Sequence, residues 1–219
     1  MRALPAPLKL WLLLLCGFVV LSVFAAAYHR FPGDLWVSHR LQEIGSPFGD
    51  IVSLPEALAD LPFVLAVWLP ALVLLWLLHR RREAVLLLVT PIGSAINTTV
   101  KALVDRPRPS PDLVRVTDHP TGPAFPSGHT VSAVIIFGLL FYFTTTMVRP
   151  LWLRLPLQLA CIYGIAFTGL ARIYHGAHWF SDVYGAAILG GLLLAVLIAL
   201  HRHLSPTPAA VTRDPRPRY

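Results

Sequence analysis

Runs of apolar residues long enough to cross a bilayer dominate this 219-residue chain and limit its folds more than any other feature. A membrane-crossing helix needs about 20 mostly apolar residues. Six segments meet or approach that length: 8–28, 61–78, 84–104, 130–148, 151–170 and 183–200. What remains is too short for a soluble domain of about 100 residues. The composition agrees. Only 13% of residues are charged and 56% are hydrophobic, where a soluble domain carries about 25% charged residues. The expected fold is all-α, a polytopic membrane protein built as one six-helix bundle over 1–204. A Pro- and Arg-rich tail at 205–219 reads as disordered and cytoplasmic. Segment 8–28 has a rival reading as a signal peptide, with Arg2 and Lys9 ahead of it and Ala25, Ala26 and Ala27 at its end. Both readings leave the N-terminus inside. In the first loop, Leu35, Val37, Leu41 and Ile44 suit a short helix, either lying on the bilayer or capping the bundle.

The net charge of +7 and pI near 10 raise the question of nucleic acid. Sorting the charges by side answers it. With the N-terminus inside, the inner loops hold eleven cations and two acids, and the outer loops hold seven cations and nine acids. Lys and Arg gather on the cytoplasmic side of membrane proteins. The basic excess is therefore an orientation signal, and no nucleic-acid partner is expected. Cys16 and Cys161 both lie in apolar runs and read as small hydrophobes.

Few ionisable residues are spread through such a chain, so their clustering is informative. Lys101 lies near the end of an apolar span, where a charge is costly and marks a functional site by default; snorkelling to the interface is the plain alternative. Seven residues on comes Arg108, within Arg106-Pro107-Arg108-Pro109. Prolines end the helix and stiffen the loop, so several cations emerge at one helix end, and guanidinium forks match phosphate oxygens. Next, Pro126-Ser127-Gly128-His129 opens the fourth span. Free amides at a helix start attract anions, although a Ser there is also an ordinary N-cap. In the last outer loop, Arg172 precedes His178, and Asp182 follows it by four residues. If that stretch is helical, His178 and Asp182 share a face. A carboxylate on one imidazole nitrogen leaves the other as an activated nucleophile, though such a pair is also a common structural contact. In the inferred topology all three elements fall on the outer side.

Lys101 with Arg108-Pro109, the Pro126–His129 tetrapeptide, and Arg172 with His178 and Asp182 resemble, in order and spacing, the three signature motifs of the type 2 phosphatidic acid phosphatase family. The family's third motif begins Ser-Arg, and here Ala171 precedes Arg172. The resemblance implies a lipid phosphatase with no metal and no cofactor. His178 would attack phosphorus and form a phosphohistidine, with Asp182 holding its ring. His129 would act as general acid and then base. Lys101, Arg108, Arg172, Ser127 and Gly128 would bind the phosphate, and Arg106 would be an accessory. It implies an enzyme of the cell membrane with its site on the outer face and a membrane lipid phosphate as substrate. Undecaprenyl pyrophosphate is the first expectation, and phosphatidate or phosphatidylglycerol phosphate the second. Two other classes remain: a transporter that binds a lipid headgroup without cleaving it, and a metal-dependent hydrolase using His175, His178 and Asp182. The role of His175 and the oligomeric state are open.

Overall fold

The computed structural model describes residues 5–57 and 61–204, with side chains for 5–52 and 67–204. The tail expected at 205–219 lies outside the described residues, as do Arg2, Arg213, Asp214, Arg216 and Arg218 and the side chains of Glu56 and Asp60 from the charge tally.

Every described element is an α-helix: α1 Ala6–Ala27, α2 Asp34–Glu43, α3 Phe48–Ala57, α4 Leu61–Leu77, α5 Arg81–Leu88, α6 Pro91–Val104, α7 Gly128–Met147, α8 Leu151–Tyr174 and α9 Phe180–Leu204. Five stretches among the described residues are long and apolar enough to span a membrane, with α5 and α6 together forming one of them over Arg81–Val104. The remaining expected span, 61–78, is α4, whose 17 residues reach the lower limit of about 17 for crossing.

The segment 84–104, expected as one helix, is two. Pro91 has no N–H to give the carbonyl of Leu87, so the helical ladder breaks there. That carbonyl finds other donors: the Thr90 hydroxyl at 2.8 Å and Trp68 Nε1 of α4 at 2.9 Å. The break is thus sealed by a neighbouring helix, as apolar surroundings require. Segment 151–170 proves longer than expected, because α8 continues through Tyr174 and carries Arg172 in its last turn. Ala171 and Ile173 are both 1% exposed, so burial holds that extra turn in place.

The centre of the bundle is α7, which packs on α6, α8 and α9, while α1 lies against α9. Between helices in lipid, close approach of small residues replaces the hydrophobic drive. A Cβ on Gly164 would come within 2.7 Å of Phe137, and one on Gly190 within 2.8 Å of Val134. These two glycines let α8 and α9 press onto α7. Leu13, Val23, Leu77, Leu151 and Trp152 face outward as an apolar skin. The short helix of the first loop is α2; it packs on α8 and α9 and covers one end of the bundle, with Gln42 donating to the carbonyls of Arg115 and Tyr174.

Candidate active site

The same end of the bundle gathers the C-termini of α6 and α8 and the N-termini of α7 and α9, because α7, α8 and α9 run antiparallel through short connections. Helix α6 stops at Asp105, which adopts a left-handed conformation (φ 47°), and the Arg106–Pro109 run then crosses the top of the bundle. Helix α8 ends at Tyr174, and Gly176 follows its cap with a φ of 69°, a conformation that favours glycine. The Gly176 turn folds the chain back, so that the Arg172 carbonyl accepts from the amides of Ala177 at 3.0 Å and His178 at 3.1 Å.

His178 therefore stands in the turn before α9 and not on its face, contrary to the shared helical face expected from the spacing. The pair still forms, by a different route. Asp182 occupies the first turn of α9, and its Oδ2 accepts from the amide of Trp179 at 2.8 Å. A first-turn acid reaching back to the residue ahead of the helix is half of a capping box, and it also suits the helix dipole. The same Oδ2 lies 3.5 Å from His178 Nδ1, facing it at more than the length of a well-formed hydrogen bond. The other imidazole nitrogen, Nε2, lies 3.1 Å from Arg108 Nη1. A guanidinium only donates and a carboxylate only accepts. The neutral ring is thus set with its proton on Nδ1 and its lone pair on Nε2. Burial, above all, lowers the pKa of His178 to about 4, with Arg108 and Lys101 adding to the effect against Asp182. The ring is neutral at ordinary pH.

A cavity of about 640 Å³ opens beside this nitrogen, lined by Lys101, Arg108, Gly128, His129 and His178. It continues past Ser132 and Asn97 to Ala133, Ile136 and Phe137 of α7 and Val67 of α4. One end is cationic and the other apolar. The cations are held mainly by backbone carbonyls of the α6–α7 loop, and Arg108 also by one of the α8–α9 turn. Lys101 Nζ donates to Pro123 at 2.5 Å and Ala124 at 3.3 Å. Arg108 donates to Gly122 at 2.9 Å and to Ala177 at 2.8 Å. Burial disfavours the charged form of Arg108, while Asp182 and Asp118 favour it. Gly128 admits the side chain of Asn97, whose amide would stand 3.2 Å from a Cβ there.

The structure brings Lys101, Arg108, Gly128, His129 and His178 to one cavity, with Asp182 directly behind His178. Ser127 is fully buried and accepts from Thr130 at 3.1 Å, while its amide donates to the carbonyl of Asp182 at 3.2 Å. It joins the starts of α7 and α9. Arg172 is 5% exposed and bonds Asp118 at 2.9 Å. His175 turns to Thr117, 2.6 Å from its hydroxyl, and so steadies the strand of loop that carries Asp118.

Several residues packed around the cavity escaped the sequence reading. Asp118 had no motif around it. Asp34 was counted only as an outer-loop acid, and Arg106 only as an accessory. In the fold, Arg106 is 1% exposed and lies between two carboxylates, with Nη2 3.0 Å from Asp34 and Nη1 2.5 Å from Asp182. Its proximity to Arg108 in a Pro-flanked pair was the only signal, and that signal did not show which arginine faces inward.

The profile of the PAP2 superfamily matches residues 82–205. Phosphatidylglycerophosphatase B of Bacillus subtilis (strain 168) is 30% identical over 110 residues, which are 49% of this chain and 52% of that protein. Lipid phosphate phosphatase delta of Arabidopsis thaliana is 26% identical over 164 residues, 70% of this chain and 37% of that protein. The matches thus span about half or less of these relatives. The crystal structure of a transmembrane PAP2 type phosphatidylglycerolphosphate phosphatase from Bacillus subtilis has the same fold. Its TM-score is 0.74 at 20% identity, over 89% of this chain and 97% of that one.

Proposed function

The chain belongs to the PAP2 superfamily, and on that premise we propose that it is a membrane lipid phosphatase that removes a terminal phosphate through a phosphohistidine on His178. One observation carries the reading: a neutral imidazole whose Nε2 lone pair faces a cavity ringed by Lys101 and Arg108, with Asp182 behind its other nitrogen.

The residues suggest how the reaction runs. A phosphate entering the cavity competes for Arg108 Nη1, because an anion is a stronger acceptor than a neutral nitrogen. The lone pair of Nε2 is released as the phosphate oxygens are gripped. Nε2 then attacks phosphorus, the P–O bond to the lipid breaks, and the leaving oxygen takes a proton from His129. The ring now carries a positive charge, which Asp182 stabilises from behind. Water then attacks phosphorus with His129 accepting its proton; the N–P bond breaks with its electron pair returning to Nε2, inorganic phosphate leaves and His178 is again neutral. Lys101 and Arg108, with the amide of Gly128, line the cavity and hold the equatorial oxygens, and Arg172, which is tied to Asp118 beside them, joins the cradle by turning a guanidinium nitrogen to the bound phosphate. Phosphoryl transfer depends mainly on such positioning and charge neutralisation. Ser127 supports this cradle from behind, since its side chain is buried.

The apolar reach of the cavity toward Ile136 and Phe137 fits a lipid tail below the headgroup. The names of the relatives favour phosphatidylglycerol phosphate or a related glycerolipid phosphate as substrate. Undecaprenyl pyrophosphate, the first expectation from the sequence, rests on the resemblance of a compact six-span chain with outward-facing chemistry. The proposed setting is the cell membrane, with both termini inside and the site on the outer face, as the distribution of Lys and Arg suggests.

Purified protein tests the reading on a panel of phosphatidylglycerol phosphate, phosphatidate and undecaprenyl pyrophosphate. Phosphate release with and without chelator, and an acid-labile phosphoryl label lost in His178→Ala, are expected. A protein that binds these lipids and releases no phosphate from any of them is a transporter, and the reading falls. Release abolished by chelator replaces the histidine mechanism with a metal-dependent one.

A further inference from the structure

The carboxylate behind the nucleophile does not stand alone. Asp182 Oδ1 accepts from Arg106 Nη1 at 2.5 Å, and Arg106 Nη2 reaches Asp34 Oδ2 at 3.0 Å. Ser181 completes a closed circuit: its hydroxyl accepts from Arg106 Nη1 at 2.7 Å and donates to Asp34 at 2.7 Å, while its amide donates to Asp34 Oδ1 at 2.9 Å. The amide of Phe31 gives Asp34 a fourth donor at 2.7 Å, and the Phe31 ring lies 4.7 Å from the Arg106 guanidinium carbon. Asp34, Arg106 and Asp182 are at most 1% exposed. Asp34 opens α2, well outside the region that the family profile covers.

Charge accounting gives this circuit a purpose. Arg106 carries one positive charge and faces two carboxylates. If Asp34 were neutral, Arg106 and Asp182 would cancel, and His178 would meet a neutral pair. With Asp34 ionised, the cluster keeps one net negative charge. Asp34 accepts from four donors and donates to none, so its oxygens act throughout as carboxylate acceptors. That surplus charge is directed through Asp182 at Nδ1 of His178, where it matters once attack by Nε2 makes the ring cationic. The groups facing His178 from elsewhere, Arg108 and Lys101, are both positive and oppose that cation. Apolar burial strengthens each of these interactions relative to water.

We propose that Asp34 is a positioning residue of the catalytic machinery: through Arg106 and Ser181 it orients Asp182 and offsets the guanidinium charge, leaving Asp182 free to stabilise the imidazolium of His178. This rests on the phosphohistidine reading. An isolated ion pair of Arg106 and Asp182 would orient the carboxylate equally well but would spend its charge on the arginine.

A charge-balance cycle in the full-length protein tests it, with kcat and KM taken per folded molecule on phosphatidylglycerol phosphate. Asp34→Asn is expected to lower kcat at least tenfold with KM within twofold. Arg106→Gln, which leaves two buried carboxylates side by side, is expected to lose at least a hundredfold. The double variant Asp34→Asn/Arg106→Gln restores one net negative charge and is expected to recover at least fivefold over Arg106→Gln. A purely structural role predicts the opposite, since two losses of packing add. Wild-type kcat in Asp34→Asn, or a double variant no better than Arg106→Gln, overturns the proposal. If Arg106→Gln does not fold, the kcat and KM of Asp34→Asn decide alone. Full activity in His178→Ala would overturn the phosphohistidine reading itself; an inactive His178→Ala with a normal Asp34→Asn overturns only the role of Asp34.

Discussion

Two histidine–carboxylate pairs sit at opposite ends of α9, about 28 Å apart by helical rise. At one end His178 Nδ1 is 3.5 Å from Asp182, and at the other His201 Nε2 is 3.6 Å from Glu83. Both histidines are buried, at 2% and 7% exposure. The pairs differ in what meets the second ring nitrogen. For His178 it is a donor-only guanidinium at the mouth of a cavity. For His201 it is the hydroxyl of Tyr142 at 3.0 Å, with the edge of Phe143 packed against the ring. One pair presents a lone pair to a space that anions can enter. The other ties α5, α7 and α9 together. An imidazole beside a carboxylate is therefore not a catalytic signature until the rest of its shell is known.

The comparison breaks if the two pairs respond alike to mutation. The largest expected effect is on His178→Ala, with phosphate release falling on the order of 10⁴-fold, as when a member of a catalytic triad is removed, while lipid phosphate still binds. Equal losses from His178→Ala and His201→Ala in a release assay would erase the distinction. Next comes Arg172→Ala, with kcat/KM expected to drop roughly 10²-fold, the scale of losing one transition-state donor. Unchanged steady-state kinetics would remove Arg172 from the cradle.

A smaller effect is expected at the other pair. Glu83→Gln or His201→Ala should cost about 1–3 kcal/mol of stability, the scale of an unsatisfied buried partner. Thermal unfolding in detergent would show it, with turnover of the folded protein within twofold of wild type. Least visible at neutral pH is the effect on titration, which shows only on acidification. His178 titrates at about 4 in the fold against a usual value of 6.5. Between those values the unfolded chain binds a proton that the folded chain excludes, so stability falls as pH drops through that window and is level above it. His178→Phe should flatten that part of the midpoint-against-pH curve. An unchanged slope in the variant would mean that His178 does not titrate this way.

Much of the bundle was legible because lipid imposes it. Apolar runs of the right length must become helices when no water can satisfy their backbone; 8–28 and 130–148 did so to within two residues at each end, and 183–200 lies inside the longer α9, Phe180–Leu204. Two departures have local causes. Pro91 divides one span, and burial of Ala171 and Ile173 extends another. The short α3 carried no signal beyond an internal Pro55, which argues against a helix when read alone.

The sequence alone determined which residue types could handle phosphate and at which helix ends they would lie, because charge is scarce in a membrane chain and motif spacing places it. It could not decide which way each side chain turns. Arg106 and Arg108 are two residues apart in one Pro-stiffened run. Only the packed structure sends Arg108 to the cavity and Arg106 to the pair of buried carboxylates. Asp34, 148 positions before Asp182, joins that pair because α2 folds over the end of the bundle. Contacts between residues so far apart depend on how helices stack, and no local pattern encodes them.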